Sequence, residues 1–350
     1  MEKAVYRILD ANFNRAREAA RVVEEYCRFV LDSKPLTARA KSLRHQLCGA
    51  AAKLDAGRLI AARDSGGDVG RGMQVGGQMV RRDLRDAAVA GCKRLTEAFR
   101  ALAETAAVVD VEAARLFEGL RFEAYALEKD IFLVDDAVRR FGRVRLYVLI
   151  TAGPEDSDAA ILELASQCAE GGADCVQLRG KNMADDRLFG LASGLVGICR
   201  EHDVLSIIND RVDIAVAAEA DGVHLGQNDL PLAQARKLQR RPMVFGVSTH
   251  SMEQLEAAIA LYPGYVALGP AFPTATKAHE PCVGPKYIRA AIERLAGQGV
   301  PHVAIGGITL ENLDEVLSWG VRAVAVCAAV THADNPGRAC RLFKEHLSDR

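Results

Sequence analysis

The spacing of hydrophobic residues changes near residue 140, and this change divides the chain into two regions. In the first region, apolar residues recur every three or four positions, which is the spacing of an amphipathic helix. Between Asn12 and Leu31 this spacing is carried by Ala16, Ala19, Ala20, Val23, Tyr26, Cys27 and Val30. Similar spacing predicts further helices over about 36–54, 80–108 and 112–133. We therefore predict that residues 1–140 form an all-α helical bundle domain.

In the second region, short apolar segments alternate with helical ones, as in a parallel sheet covered on both faces. Eight strands are predicted, at 145–150, 174–178, 204–208, 222–225, 243–247, 265–268, 302–305 and 323–327. Eight strand–helix units in about 200 residues indicate a (β/α)8 TIM barrel over residues 144–350. A doubly wound open sheet is the alternative, but no unit carries the glycine fingerprint of that fold.

Two neighbouring strands of this barrel each end on a carboxylate. The third runs into Asn209 and Asp210, and the fourth is followed by Asp229. Catalytic residues of such barrels lie at the carboxyl ends of the strands. Two carboxylates on one rim suit Mg²⁺ that holds a phosphorylated substrate. The alternative is that both aspartates only cap the helices that follow them.

The other strand ends carry groups that bind anions. Cationic, amide and hydroxyl side chains follow the second, fifth and sixth strands, and exposed backbone amides follow the seventh and eighth. The second strand ends in Gln177, Leu178, Arg179, Gly180 and Lys181, which supply two cations and an amide, and the other positions are Ser248, Thr274, Thr276, Lys277, Gly307, Cys327 and Ala328. Arg179, Lys181, Ser248 and Lys277, with the metal ligands, suit a diphosphate, whereas Thr274, Thr276 and Gly307 suit a monophosphate. Such a rim would stabilise a departing diphosphate and join the residual cation to a second, phosphorylated substrate.

Composition limits the possible partners. The net charge of -1 does not favour binding to nucleic acid or to an anionic membrane. The first residues lack the apolar core of a signal peptide, and the nine cysteines are scattered, so we expect reduced thiols in the cytoplasm. A glycine-rich segment at 63–77 could cradle a phosphate with Arg63 or Arg71, but its glycine spacing favours a connector.

At its strand ends the sequence resembles the thiamine-phosphate synthase (thiamine-phosphate pyrophosphorylase) family. The resemblance covers residue 145 to the C-terminus, and its motifs are QLRGK at 177–181, IINDRVDIA at 207–215, ADGVHLGQNDLP at 220–231, GVSTHS at 246–251, GPAFPTATK at 269–277 and IGGIT at 305–309. It implies condensation of 4-amino-2-methyl-5-(diphosphooxymethyl)pyrimidine with 4-methyl-5-(2-phosphooxyethyl)thiazole to give thiamine phosphate and diphosphate. It also implies that diphosphate departs before the thiazole nitrogen attacks.

The resemblance assigns Mg²⁺ to Asp210 and Asp229. It assigns the pyrimidine diphosphate to 177–181, Asn209, Ser248 and Lys277, and the thiazole phosphate to Thr274, Thr276, Gly307, Cys327 and Ala328. Two positions depart from the family pattern: Gly180 replaces a usual glutamate, and Cys327-Ala328 replaces a pair that often contains serine. Neither departure removes a predicted metal ligand.

Two other functions fit a phosphate-binding barrel. A thiazole tautomerase-like isomerase would need neither Mg²⁺ nor a pyrimidine diphosphate, and a phosphate-sensing barrel would bind its ligand without turnover. The helical region resembles an extra domain that is fused to the synthase in some bacteria. Two roles remain open for it: a kinase acting on a pyrimidine phosphate, or a structural module. The sequence also leaves the oligomeric state open.

Overall fold

The computed structural model describes residues 2–73, 76, 80–274 and 282–348, and the chain divides into two compact units, Met1–Phe132 and Leu133–Arg350. The predicted domains, 1–140 and 144–350, place the division about ten residues later. No helix among the described residues has the length and apolar character needed to cross a membrane.

The described residues of the first unit form five helices. They are α1 (Glu2–Phe29), α2 (Lys34–Ala51), α3 (Ala56–Ala62), α4 (Leu84–Ala106) and α5 (Val111–Phe141), the last of which continues into the second unit. Side-chain caps begin several of them: Ser33 accepts from the Leu36 amide, Asp55 from the Arg58 amide and Asp83 from the Asp86 amide. The seven-residue α3 was not predicted, because so short a helix shows little periodicity.

Arg63, one of the two arginines considered as phosphate ligands, is engaged within the first unit. Its Nε and Nη2 donate to the two carboxylate oxygens of the buried Asp10, at 2.8 and 2.6 Å. The carboxylates of Asp64 and Asp68 accept hydrogen bonds from the amides of Gly67 and Gly70. Aspartate commonly stabilises local turns in this way. In its described part, the glycine-rich segment therefore has the contacts of a connector.

The second unit is a closed barrel of eight parallel strands in chain order, as predicted. The strands are β1 (Leu146–Ala152), β2 (Cys175–Gly180), β3 (Leu205–Asn209), β4 (Gly222–Leu225), β5 (Val244–Thr249), β6 (Tyr265–Leu268), β7 (His302–Ile305) and β8 (Val324–Val326). The helices of this unit are α6 (Asp158–Glu170), α7 (Asp185–Glu201), α8 (Val212–Ala217), α9 (Leu232–Leu238), α10 (Met252–Ile259), α11 (Gly284–Leu295), α12 (Leu313–Ser318), α13 (Ala328–Thr331) and α14 (Pro336–Ser348).

Alternate strand residues point to opposite faces, which produces two separate apolar cores. Leu146, Val148 and Ile150 of β1 pack in the outer core between strands and helices. Tyr147 and Leu149 of the same strand pack in the inner core. Gln177, His224 and Ser248 are buried polar residues of β2, β4 and β5, and they line the site described below.

The last turns of α5 belong to the inner core of the barrel. The ring of Phe141 stacks on that of Tyr265, with centroids 3.7 Å apart and ring planes 2° apart. Ala137 packs in the same cluster, and Arg140 donates a hydrogen bond to the Asp221 carboxylate. Residues 133–141 are thus part of the packing of the barrel unit.

Candidate active site

A cavity of about 690 Å³ opens at the carboxyl ends of the strands. The predicted site residues that line it are Gln177, Arg179, Lys181, Asn209, Asp210, Asp229, Ser248, Thr274, Gly307, Cys327 and Ala328. Leu178 does not line it, because its side chain points to the outer core. Thr276 and Lys277 lie outside the described residues. The barrel thus brings together eleven positions that are spread over 150 residues of sequence.

Asp210 and Asp229 lie side by side at the rim. Burial and the hydrogen bond with Asp229 raise the pKa of Asp210 to about 6, against the opposing effect of Lys181 and Arg179. The Lys181 ammonium nitrogen is 3.9 Å from the Asp210 carboxylate. Two carboxylates this close repel each other when both are ionised, so they retain a proton or attract a cation.

The backbone holds both aspartates away from helix-capping positions. Asp210 has a φ of +63°, and its amide donates to the carbonyl oxygen of His224 at 2.8 Å. Asp229 closes its own turn, because its carboxylate accepts from the Gly226 amide at 2.6 Å. The N-caps of α8 and α9 are instead Arg211 and Pro231. The two carboxylates are therefore not used as helix caps.

Among the described residues, no three histidine, cysteine, aspartate or glutamate side chains converge as a metal site. The rim offers two carboxylates, together with the amide side chains of Asn209, Gln227 and Asn228 that also line the cavity. Mg²⁺ is commonly held by one or two carboxylates, with water and substrate phosphate oxygens as its other ligands. The residues present fit such an ion, and they do not fit a zinc site, which needs three or four protein ligands.

Gly180 packs tightly beneath the rim. A Cβ atom at this position would be 2.8 Å from Cδ1 of Leu188 and 3.6 Å from the sulfur of Met183. β2 continues through Gly180, which pairs with Ala152 of β1. The strand therefore remains regular up to Lys181, and the glycine is accommodated by packing with α7.

The turn after β7 and the start of α13 form the opposite side of the cavity. Gly306 and Gly307 have φ values of +104° and +63°, and a Cβ on Gly307 would lie 2.7 Å from the carbonyl oxygen of Pro273. Asn312 fixes the turn, donating to the Gly307 carbonyl and accepting from the Thr309 amide, both at 2.9 Å. The first amides of α13 have no partners within that helix. This side of the cavity is rich in backbone groups rather than charged side chains.

Several polar residues of the cavity and of the inner core were not predicted from the sequence. Gln227 donates to the Ser248 carbonyl oxygen, and His224 contacts the hydroxyl of Ser248 at 2.8 Å. Gln177 was predicted, but its partner Tyr147 and the neighbouring Tyr265 were not. Tyr147, His224 and Tyr265 are polar residues at inward positions of otherwise apolar strands, whereas Gln227 lies in the turn after β4.

Comparisons with known proteins place these features in a family. The sequence profile described as "Thiamine monophosphate synthase" matches residues 146–330, and that of the "ThiD2 family" matches residues 7–130. A thiamine-phosphate synthase of Synechocystis sp. is 39% identical over 345 residues, which is 99% of this chain and 97% of that protein. One from Rhodopirellula baltica is 38% identical over 353 residues, with 99% and 93% covered.

A solved structure agrees with these matches. The thiamine phosphate pyrophosphorylase from Pyrococcus furiosus aligns with a TM-score of 0.52 and 31% identity, covering 59% of this chain and 96% of its own. The match over residues 146–330 coincides with the barrel and its carboxylate rim, and the curated relatives extend over the helical region as well. The chain belongs to the thiamine-phosphate synthase family, in a form that carries an additional N-terminal helical unit.

Proposed function

We propose that the rim of the barrel condenses 4-amino-2-methyl-5-(diphosphooxymethyl)pyrimidine with 4-methyl-5-(2-phosphooxyethyl)thiazole, with Mg²⁺ held by Asp210 and Asp229. The observation that carries this proposal is the pair of hydrogen-bonded carboxylates at the ends of β3 and β4, with Lys181 and Arg179 beside them. A site with this charge arrangement can bind a cation and a polyanion next to each other.

Mg²⁺ would neutralise negative charge on the diphosphate as that group departs. The protein's own residues contribute by holding the ion and the positive charges in fixed positions. Asp210 and Asp229 fix the place of the ion, and Arg179 and Lys181 provide fixed positive charge on the β2 side. Lys277, which lies outside the described residues, is assigned to the diphosphate by the family resemblance. Together with Ser248, these cationic residues are the proposed catalytic groups.

The proposed reaction is dissociative. The bond between the pyrimidine methylene carbon and the diphosphate oxygen breaks, and its electron pair leaves with the diphosphate. The thiazole nitrogen then donates its lone pair to that carbon, forming the C–N bond of thiamine phosphate. This order of steps needs no base to remove a proton from the nucleophile. Fixed charges that stabilise a developing anion are the kind of catalysis that the rim can supply.

The second phosphate is assigned to the opposite side of the cavity. The turn at Gly306 and Gly307, the start of α13 at Ala328, and Thr274 all line this side. Barrels commonly bind phosphate with the loops after their seventh and eighth strands. Cys327, where the family often has serine, is tolerated if the backbone groups make the contact. We assign Thr276 to the same phosphate by resemblance alone.

The test is turnover by the purified full-length protein with both substrates, with and without Mg²⁺. The synthase assignment predicts thiamine phosphate and diphosphate in equal amounts, and no product when either substrate or Mg²⁺ is omitted. Isomerisation of a thiazole substrate without Mg²⁺ would favour the tautomerase-like alternative. Phosphate-ligand binding with no product under any condition would favour the sensing barrel.

A further inference from the structure

Five buried polar side chains form a continuous hydrogen-bonded chain across the inside of the barrel. Gln177 Nε2 contacts Tyr147 Oη, and Tyr147 Oη lies 2.9 Å from Tyr265 Oη. Tyr265 Oη is 2.9 Å from His224 Nδ1, and His224 Nε2 is 2.8 Å from Ser248 Oγ. We call these five residues the hydrogen-bond chain. Its two ends, Gln177 and Ser248, both line the cavity.

The chemistry of the groups gives the hydrogen-bond chain a direction. An amide nitrogen only donates, so Gln177 Nε2 donates to Tyr147 Oη. The Tyr147 hydroxyl then donates to Tyr265, and Tyr265 donates to Nδ1 of His224. In the reverse direction, the Tyr147 hydrogen would be left with the sulfur of Cys175, a weak acceptor, in place of the Tyr265 oxygen. Exchanging an oxygen acceptor for a weak sulfur acceptor inside the barrel is costly, so the forward direction is favoured.

The direction determines what each end offers to a ligand. With Nδ1 accepting, neutral His224 carries its proton on Nε2 and donates it to Ser248 Oγ. The Ser248 hydrogen is then left to point into the cavity. At the other end, Gln177 Oε1 is buried and has no hydrogen-bond partner among the described residues. The Ser248 end therefore offers a hydrogen-bond donor, and the Gln177 end offers a hydrogen-bond acceptor.

We propose that Tyr147, Tyr265 and His224 are positioning residues that make Ser248 a hydrogen-bond donor toward the pyrimidine diphosphate. This proposal rests on the proposed function, because it takes that substrate as the ligand of the cavity. The aminopyrimidine has amino hydrogens that suit Gln177 Oε1, and ring-nitrogen and diphosphate acceptors that suit the Ser248 hydroxyl. The hydrogen-bond chain thus selects for a substrate that carries both kinds of group.

The register of the strands places Tyr265 within reach of His224. His224, Gly246 and Tyr265 are register partners across β4, β5 and β6. A Cβ atom on Gly246 would lie 2.0 Å from Cζ of Tyr265, so the ring occupies the space that any other side chain would need. Phe141 stacks on the same ring. The position of the Tyr265 hydroxyl is therefore fixed by close packing of its ring.

The first test is the tautomer of His224 in the full-length protein, read by ¹⁵N NMR of histidine-labelled samples. The chain has eight histidines, and loss of one signal in a His224→Gln variant assigns the resonance. We expect the Nε2–H tautomer in the wild type and a shift toward the Nδ1–H tautomer in Tyr265→Phe. An Nδ1–H tautomer in the wild type, or no change in Tyr265→Phe, overturns the proposal. This readout does not depend on activity, so it separates failure of the hydrogen-bond chain from failure of the proposed function.

The second test is kinetic. Tyr265→Phe is expected to raise the KM for the pyrimidine diphosphate about tenfold, the effect of one hydrogen bond to the substrate, and to leave the KM for the thiazole phosphate unchanged. Tyr287→Phe is the matched control: it also removes a tyrosine hydroxyl, which donates to Thr249 Oγ1 at 2.8 Å, outside the hydrogen-bond chain. Equal effects of the two substitutions, or equal rises in both KM values, would assign Tyr265 a structural role only.

Discussion

At the scale of single residues, the paired carboxylates of Asp210 and Asp229 link the site to pH. The folded state raises the pKa of Asp210 to about 6 from an ordinary value of 3.8, so folding favours its protonated form. Without a bound cation, this residue therefore increases the stability of the fold as the pH falls through 6. At pH 7 Asp210 is ionised, so its carboxylate is available to bind a divalent cation.

We predict that lowering the pH from 7 to 5 without Mg²⁺ stabilises the wild type by about 1 kcal/mol relative to Asp210→Asn. Asparagine is the suitable replacement, because it tolerates the φ of +63° and cannot titrate. The measurement is chemical denaturation of both proteins at the two pH values. Parallel changes in the free energy of unfolding would show that Asp210 does not titrate in this range.

Gly307 provides a second prediction at this scale. A Gly307→Ala substitution places a Cβ 2.7 Å from the Pro273 carbonyl oxygen, in a backbone conformation that alanine rarely adopts. We expect the turn to shift and the KM for the thiazole phosphate to rise at least tenfold, with a smaller effect on the KM for the pyrimidine diphosphate. Gly297→Ala is the control, since its φ is +71° but its added Cβ meets no atom within 4 Å. A larger effect on the pyrimidine diphosphate would mean that the two substrates are placed the wrong way round.

At the scale of elements, the end of α5 serves the barrel. Phe141 is buried against Tyr265 inside the barrel unit. We predict that Phe141→Ala lowers the free energy of unfolding by about 3–5 kcal/mol, the usual cost of removing a buried aromatic ring. Urea denaturation of the full-length protein measures this. Phe141→Leu, which keeps most of the volume, should cost clearly less, and a loss below about 1 kcal/mol in the alanine variant would refute the packing role.

The strands were predictable from sequence, and the reason is physical. Each is a short apolar run bounded by polar turns, and the rim residues follow the strands directly, so Asp210 and Asp229 could be paired before the structure was known. The hydrogen-bond chain could not be predicted from the sequence. Its members Tyr147, His224 and Tyr265 come from three strands and meet only through barrel closure and register. The extension of α5 was also missed, because nothing in its local pattern shows that Phe141 packs inside the barrel.

At the scale of the whole molecule, the barrel unit contains every residue of the cavity. We predict that a fragment of residues 133–350 folds and keeps synthase activity. A fragment of residues 144–350 should be less stable, because it lacks Phe141 and the Arg140 side chain that pairs with Asp221. Circular dichroism and turnover of both fragments test this. A folded but inactive 133–350 fragment would mean that the helical unit contributes to catalysis.

We expect catalysis to depend on a cation held by the carboxylate pair, and Asp229→Asn tests this dependence most directly. The measurement is kcat for thiamine phosphate formation as Mg²⁺ is varied. The control is Asp213→Asn, which removes an exposed carboxylate that pairs with Arg211. We predict a fall of about a hundredfold or more for Asp229→Asn, corresponding to about 3 kcal/mol in the barrier, and nearly normal turnover for the control. Normal turnover of Asp229→Asn at limiting Mg²⁺ would contradict this prediction.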